Sequence, residues 1–208
     1  VFVLAVLGLI VGSYLNVYIL RLNTGKSTAG RSGCMSCGGK LTWRELIPVI
    51  SFFVLRGRCG TCGSRISKQY WMVELLTSLL FVLVWLQGFD LLTTVVSLAI
   101  VSTLIIIAVY DIRHTIIPNQ TVYAFLVLAV LAYGLSTGPL VAPALWPSYG
   151  MTMVYSAMVT SLPLFTLWFV SKGAWMGFGD VKLTLGFGAM LGVYQGIMAI
   201  MLGFVMGA

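Results

Sequence analysis

The sequence predicts an all-α polytopic membrane protein with about six or seven transmembrane helices in the covered chain and a small cytoplasmic module after the first of them. Of its 208 residues, 60% are hydrophobic and only 8% are charged, whereas soluble domains carry about 25% charged residues. Long apolar runs recur along the chain, and one hydrophilic segment that contains all the cysteines interrupts them. This composition excludes a water-soluble protein, and the length leaves no room for a large soluble enzyme domain.

The apolar runs divide the chain into spans separated by polar connections. They cover residues 1–20, 70–87, 91–110, 121–135, 151–170 and 181–208. Glycines interrupt the last run, so we predict that residues 193–208 form a separate span after a short helix at 181–192. Both ends of the chain are still apolar, and we expect the sequence to be truncated at each of them.

The basic residues predict the orientation in the membrane. Nine of the twelve Lys and Arg residues lie between residues 21 and 69, which places this segment in the cytoplasm by the positive-inside rule. Alternation of the spans then puts Arg113, Lys172 and Lys182 on the same side and the N-terminus outside. We therefore predict three parts, namely a first helix (1–20), a cytoplasmic module (21–69) and a membrane core (70–208).

The four cysteines form two Cys-x-x-Cys pairs, with 21 residues between the pairs; they are Cys34, Cys37, Cys59 and Cys62. This spacing predicts a tetrahedral zinc site with four thiolate ligands. Glycines follow each pair and allow the tight turn that points amide N–H groups at sulfur. The alternative, two disulfides or free thiols, is disfavoured by a reducing cytoplasm. Between the pairs, the amphipathic segment 43–55 either lies on the membrane surface or forms the core of the module.

Four of the five acidic residues fall on the predicted cytoplasmic side. Asp111 closes the third span and Asp180 opens the sixth, so the topology brings them to one membrane face. Two aspartates that share a proton can activate water and protonate a leaving amine, as in aspartic proteases. Gly177 and Gly179 would let an extended substrate backbone approach Asp180. The structural alternatives are an ion pair of Asp111 with Arg113 and a helix N-cap at Asp180.

Taken together, the motifs resemble the bacterial type IV prepilin peptidases. The resemblance covers nearly the whole chain and rests on the paired cysteines, Asp111 and several short motifs. These are Gly12-Ser-Tyr-Leu-Asn-Val17, Ile47-Pro-Val-Ile-Ser51, Leu55-Arg-Gly-Arg-Cys59, Glu74-Leu-Leu-Thr77, Ile117-Pro118-Asn119 and Met176-Gly-Phe-Gly-Asp-Val-Lys-Leu183.

The resemblance implies an aspartic endopeptidase of the Gly-x-Gly-Asp type in the bacterial inner membrane, with Asp111 and Asp180 as its catalytic pair. Its substrates would be type IV prepilins or type II secretion pseudopilins, whose basic leaders it removes at the cytoplasmic face. Members with the cysteine module also methylate the new N-terminus with S-adenosylmethionine. Gly60 matches a position linked to methyl transfer, and we predict Glu74 as a second cofactor-binding residue.

Two other functions fit parts of the pattern. A presenilin-like or preflagellin-type protease without methyltransferase activity would use the same two aspartates, but that type lacks the zinc insert. A non-enzymatic scaffold stabilised by zinc, or a proton-coupled transporter, would need carboxylates staggered across the bilayer. For Glu74, stabilisation by a helix N-terminus or pairing with Lys68 is the structural alternative. Membrane lipids are expected partners and nucleic acids are not.

Overall fold

The computed structural model describes residues 1–25, 27, 30, 32–137 and 146–207. Its helices are α1 (Phe2–Arg21), α2 (Ile50–Val54), α3 (Gln69–Leu86), α4 (Leu91–His114), α5 (Asn119–Thr137), α6 (Trp146–Ser171) and α7 (Phe178–Gly207), with a 3₁₀ turn at Trp43–Leu46. By length and composition, all of the α-helices except α2 could cross a membrane, with α7 counted as one helix across its break at Gly192. The predicted fold class, a multi-pass helical protein with a four-cysteine cluster after the first helix, is therefore confirmed.

The chain packs as two compact units, residues 1–89 and 90–208. In the first unit, α1 and α3 run antiparallel and touch through glycines. A Cβ atom at Gly8 would lie 2.5 Å from the Ser78 Cα, and one at Gly12 would lie 2.7 Å from the Glu74 Cα. Only glycine allows the two backbones to come this close, which is the usual role of small residues four apart in membrane helices.

Polar side chains also join α1 and α3. Asn16 is fully buried, and its amide nitrogen donates to the carbonyl oxygen of Tyr70 at 3.0 Å. Gln69 donates back to the Asn16 Oδ1 at 3.3 Å, while the Ser78 hydroxyl donates to the Ala5 carbonyl at 2.9 Å. Because lipid offers no hydrogen-bonding partners, these bonds fix the register of the pair.

The amphipathic segment between the cysteine pairs divides its apolar side chains between two surroundings. Trp43 is 68% exposed, Ile50 is 60% exposed and Val54 is 73% exposed, which suits a position at the membrane surface. Phe52 and Leu55 instead contact the module, because the Cβ position of Gly57 lies 3.1 Å from the Phe52 ring and that of Gly60 lies 3.7 Å from Leu55. Each of the two predicted alternatives therefore describes part of the segment.

In the second unit, α5 packs against α4 and α7, and α6 packs against α7. The buried core of α4 and α5 consists of Val96, Ile100, Ile107, Val122 and Phe125. Phe187 of α7 meets Phe125 edge to face, with ring centroids 5.3 Å apart. Gly186 leaves room for the same Phe125 ring. The packing therefore holds α7 against the α4–α5 pair.

Helix α7 is broken at Gly192, where φ is 79° and ψ is 179°. A Cβ atom at Gly196 would lie 3.4 Å from the Gly188 Cα, although eight residues span about 12 Å along a straight helix. The chain therefore folds back at Gly192 into a first half (178–191) and a second half (193–207). The predicted separation of residues 193–208 from a preceding short helix agrees with this break.

Candidate functional site

The two cysteine turns, residues 33–40 and 58–65, have the same backbone geometry. An antiparallel bridge joins the end residues of each turn. In both, the N–H of the first cysteine donates to the carbonyl five residues later, at 2.9 and 2.8 Å. Gly38 and Gly63 occupy equivalent positions with φ of 68° and 69°, a conformation that costs glycine little. These glycines make the turn possible, as the sequence predicted.

The four thiols converge on one point. The sulfur atoms of Cys34, Cys37, Cys59 and Cys62 all lie within 4.8 Å of one another, and those of Cys34 and Cys62 are 3.8 Å apart. Four ligands about 2.3 Å from a central zinc ion would be separated by about 3.8 Å. All four cysteines are free thiols, so the disulfide alternative does not match the structure. The cluster is compatible with a metal site.

Neighbouring backbone N–H groups change the pKa values of the cysteine thiols. Backbone N–H groups of Cys37 and Ser36 lower the pKa of Cys34 to about 6. At Cys37 the N–H of Gly39 lowers the pKa, but hydrogen bonds with Cys62 and Cys34 outweigh it and raise that pKa to about 11. Without a metal the thiols therefore hold their protons unequally. A bound cation favours the thiolate form of every ligand.

The two predicted aspartates lie in the second unit and line one cavity of about 540 Å³. Asp111 is exposed in the last turn of α4, and Asp180 is half-buried as the third residue of α7. The two carboxylates are close enough to interact electrostatically. Because Asp180 lies inside the first turn of α7, it is not the N-cap residue of that helix. The structure therefore brings both residues to one site.

The rest of the cavity wall is mainly apolar. It is formed by Leu164, Met176, Leu183, Thr184, Phe187, Ala199, Ile200, Gly203 and Phe204. Met176 lies in the connection between α6 and α7, and the other residues come from α6 and from both halves of α7. The second half of α7 reaches the cavity because the chain folds back at Gly192. The site consequently offers a paired carboxylate beside a surface suited to apolar side chains.

Close packing fixes the start of α7 next to the loop that follows Asp111. A Cβ atom at Gly179 would lie 2.8 Å from the Ile117 Cβ. Lys182 donates from its Nζ to the Asn119 Oδ1 at 2.9 Å, and this Nζ lies 5.4 Å from the centroid of the Tyr123 ring. These contacts tie the first turns of α7 to the start of α5.

Comparison with protein families finds a matching domain for each of the two units of the chain. Residues 6–88 match the bacterial peptidase A24 N-terminal domain, and residues 98–208 match the type IV leader peptidase family. The chain belongs to the type IV leader peptidase family.

Several proteins named "Prepilin leader peptidase/N-methyltransferase" are similar to this family member. The one from Myxococcus xanthus is 44% identical over 135 residues, which cover 64% of this chain and 40% of that protein. The one from Bacillus subtilis is 33% identical over 192 residues, 92% of this chain and 73% of that protein. The one from Vibrio cholerae is 28% identical over 200 residues, 91% and 76% respectively. No solved structure is significantly similar to the chain.

In this leader peptidase family member, the two glycines before Asp180 differ in their surroundings. A Cβ atom at Gly177 would lie 3.8 Å from the Asp180 Oδ2, which is ordinary van der Waals contact, so the backbone there is open beside the carboxylate. Gly179 instead faces Ile117. Gly177 therefore fits the predicted approach of a substrate. At position 179, packing against Ile117 already requires glycine, and the sequence did not reveal this contact.

Gly60 lies against a carboxylate that sequence reasoning did not include in the site. A Cβ atom at Gly60 would lie 2.8 Å from the Glu45 Oε1. The Glu45 Oε2 accepts hydrogen bonds from the Thr42 N–H and hydroxyl at 2.8 and 2.9 Å, and these bonds lower the pKa of Glu45. The capping pattern Thr-x-x-Glu was the available signal for this arrangement. Any larger residue at position 60 would displace Glu45.

Glu74 has a backbone partner, whereas the structural alternative named Lys68 or a helix N-terminus. Glu74 is 6% exposed, and its Oε2 accepts the Val49 N–H at 2.7 Å. The cofactor role of Glu74 stays a prediction, but the structure shows that a protein group already binds this carboxylate.

Proposed function

We propose that the chain removes leader peptides from type IV prepilins or pseudopilins by aspartic peptide-bond hydrolysis, with Asp111 and Asp180 as the catalytic pair. The observation that carries the proposal is that carboxylates from two distant segments line one apolar cavity. The family membership and the names of the relatives support the substrate class.

The pair would work as a general acid and a general base. One ionised carboxylate takes a proton from water while the water oxygen attacks the carbonyl carbon of the scissile bond. The protonated partner gives its proton to the leaving amine as the C–N bond breaks. The pair ends with one proton, as it began, so that water is the only other reactant.

The proton that the two carboxylates share is assigned to the pair as a unit rather than to one residue, because interacting carboxylates titrate together.

The position of the pair at helix ends suits a substrate that is itself embedded in the membrane. A prepilin would present an apolar helix in the bilayer with a basic leader in the cytoplasm, so that its scissile bond lies at the inner interface. Asp111 ends one membrane-spanning helix and Asp180 begins another. The asymmetric distribution of the twelve cations supports the cytoplasmic face of a bacterial inner membrane.

We further propose that the four cysteines hold a structural zinc ion and that the protein methylates the new N-terminus with S-adenosylmethionine. The sulfur geometry supports the ion, and the names of the relatives support the methyl transfer. Zinc would contribute folding stability to a module with little apolar core. Gly60 and Glu45 lie beside the second cysteine pair and are the residues through which we expect substitutions to affect methylation.

Both activities can be read from the mass of one product. The purified full-length protein is incubated with a prepilin and S-adenosylmethionine, with a parallel reaction that lacks the methyl donor. We expect loss of the leader in both reactions and the gain of one methyl group only in the first. Leader loss without methylation would favour the alternative protease without methyltransferase activity, and an intact prepilin would contradict the proposal.

A substitution of Gly179 tests whether packing at the start of α7 positions the pair. Gly179→Ala places a Cβ atom against Ile117 and should push α7 away from the end of α4. Because a misplacement of about 1 Å can cost about 100-fold in rate, we expect a fall in leader cleavage of that order. Gly150→Ala in α6 is the matched control, since this glycine lies outside the site and no described heavy atom lies within 4 Å of its Cβ position. Equal rates for the Gly179 variant and the unchanged protein would contradict this role.

A further inference from the structure

A buried carboxylate in the first unit takes no part in the proposed hydrolysis. Glu74 lies at the contact of α1 and α3, where a Cβ atom at Gly12 of α1 would lie 2.7 Å from the Glu74 Cα, and its Oε2 accepts the Val49 N–H at 2.7 Å. Glu74 belongs to α3, and Val49 belongs to the segment between the cysteine pairs. This residue therefore joins the packed helix pair to the cysteine module.

The backbone at Val49 is unusual. Its φ of 61° and ψ of −53° are rarely adopted by a β-branched residue. Such a conformation persists only where the surroundings impose it. Val49 also precedes the first residue of α2, so its N–H has no carbonyl within that helix to bind. The Glu74 carboxylate is the acceptor that satisfies this N–H.

Aromatic packing supports the same connection. The rings of Phe52 and Phe53 lie 6.2 and 5.8 Å from that of Trp71, between centroids. Trp71 lies in the first turn of α3, one turn before Glu74. The segment around α2 therefore rests on the start of α3, and Glu74 supplies a hydrogen-bond acceptor for it.

We infer that Glu74 is a positioning residue that fixes the cysteine module on the α1–α3 pair in the geometry needed for methyl transfer. The functional part of this inference rests on the proposed methyltransferase activity. The carboxylate holds Val49 in its strained conformation, and Val49 in turn sets the direction of α2. Each cysteine turn is closed by its own hydrogen bonds, so we expect the turns and their shared metal site to form without this contact.

The test compares three variants of the full-length protein. Glu74→Leu removes both acceptor oxygens, Glu74→Gln keeps one oxygen for the Val49 N–H, and Thr77→Val is the matched control. Thr77 is buried one turn further along α3, and its hydroxyl donates to the Val73 carbonyl of the same helix. Measurements are amide hydrogen exchange at Val49, zinc content, leader cleavage and methylation.

For Glu74→Leu we expect exchange at Val49 to rise and methylation to fall, each by about tenfold, the size expected when a buried donor loses its hydrogen-bond partner. Zinc content and leader cleavage should be unchanged. Glu74→Gln should restore both the slow exchange and most of the methylation, and Thr77→Val should resemble the original protein in every measurement.

Slow exchange at Val49 in the Glu74→Leu variant would overturn the inference, as would loss of zinc or an equal loss of cleavage and methylation. Normal methylation despite fast exchange would also overturn it. If the original protein does not methylate at all, the proposed function fails, and the exchange measurement still decides whether Glu74 holds the segment.

Discussion

Asp111→Asn and Asp180→Asn are each expected to abolish leader cleavage while the protein stays folded. Asparagine keeps the size of the side chain but can neither accept the proton of water nor supply one to the leaving amine. Loss of one member of a catalytic unit commonly costs a factor of about 10⁴ or more. Purified variants are incubated with a prepilin, and the released leader is measured by mass.

Asp90→Asn is the matched control for these variants. Asp90 is exposed at the N-terminus of α4, where its Oδ2 accepts the N–H groups of Leu92 and Thr93. Asparagine is nearly as good an N-cap as aspartate, so cleavage should be unchanged. Thermal unfolding and zinc content show whether each variant is folded. Retained cleavage in both Asp111→Asn and Asp180→Asn would eliminate the protease assignment.

Cys34→Ser has the second large expected effect, which is the release of the metal ion. A hydroxyl in place of a thiolate removes one of four ligands from a site whose binding energy stabilises the fold of the module. We expect zinc content to fall from one ion per chain to almost none. Methylation should fall more than proteolysis, because the predicted methyl-transfer residues lie beside the cysteines. Metal analysis and the product mass assay measure both effects.

Ser36→Ala is the control for the cysteine variant. Ser36 lies between the two cysteines of the first turn and contributes its backbone N–H to Cys34, which alanine keeps. Its zinc content and methylation should match those of the original protein. A Cys34→Ser protein that still carries one zinc ion per chain would refute the four-cysteine site.

The membrane helices and the cysteine cluster were predictable from sequence because each depends on local patterns. Apolar runs of about 20 residues indicate spans, and the Cys-x-x-Cys spacing with following glycines indicates a metal-binding turn. The convergence of Asp111 and Asp180 needed one further step, the alternation of spans across the membrane. That step places the two helix ends on one membrane face but does not predict that they line the same cavity.

Contacts between distant segments could not be predicted in the same way. The shared cavity depends on the fold at Gly192, which the sequence indicated only through a series of glycines. The approach of Gly179 to Ile117 and the bond from Val49 to Glu74 join residues that no periodic pattern relates. The sequence analysis interpreted Gly179 as room for a substrate backbone, and the structure shows that its contact with Ile117 also requires glycine there.

The most direct test of the central claim, that Asp111 and Asp180 act as one catalytic unit, is the leader cleavage rate of the double variant Asp111→Asn/Asp180→Asn beside the two single variants. Residues that act as a unit are not additive. We predict that all three zinc-loaded, folded proteins cleave a prepilin at the same background rate. A single variant that cleaves measurably faster than the double variant would contradict the claim.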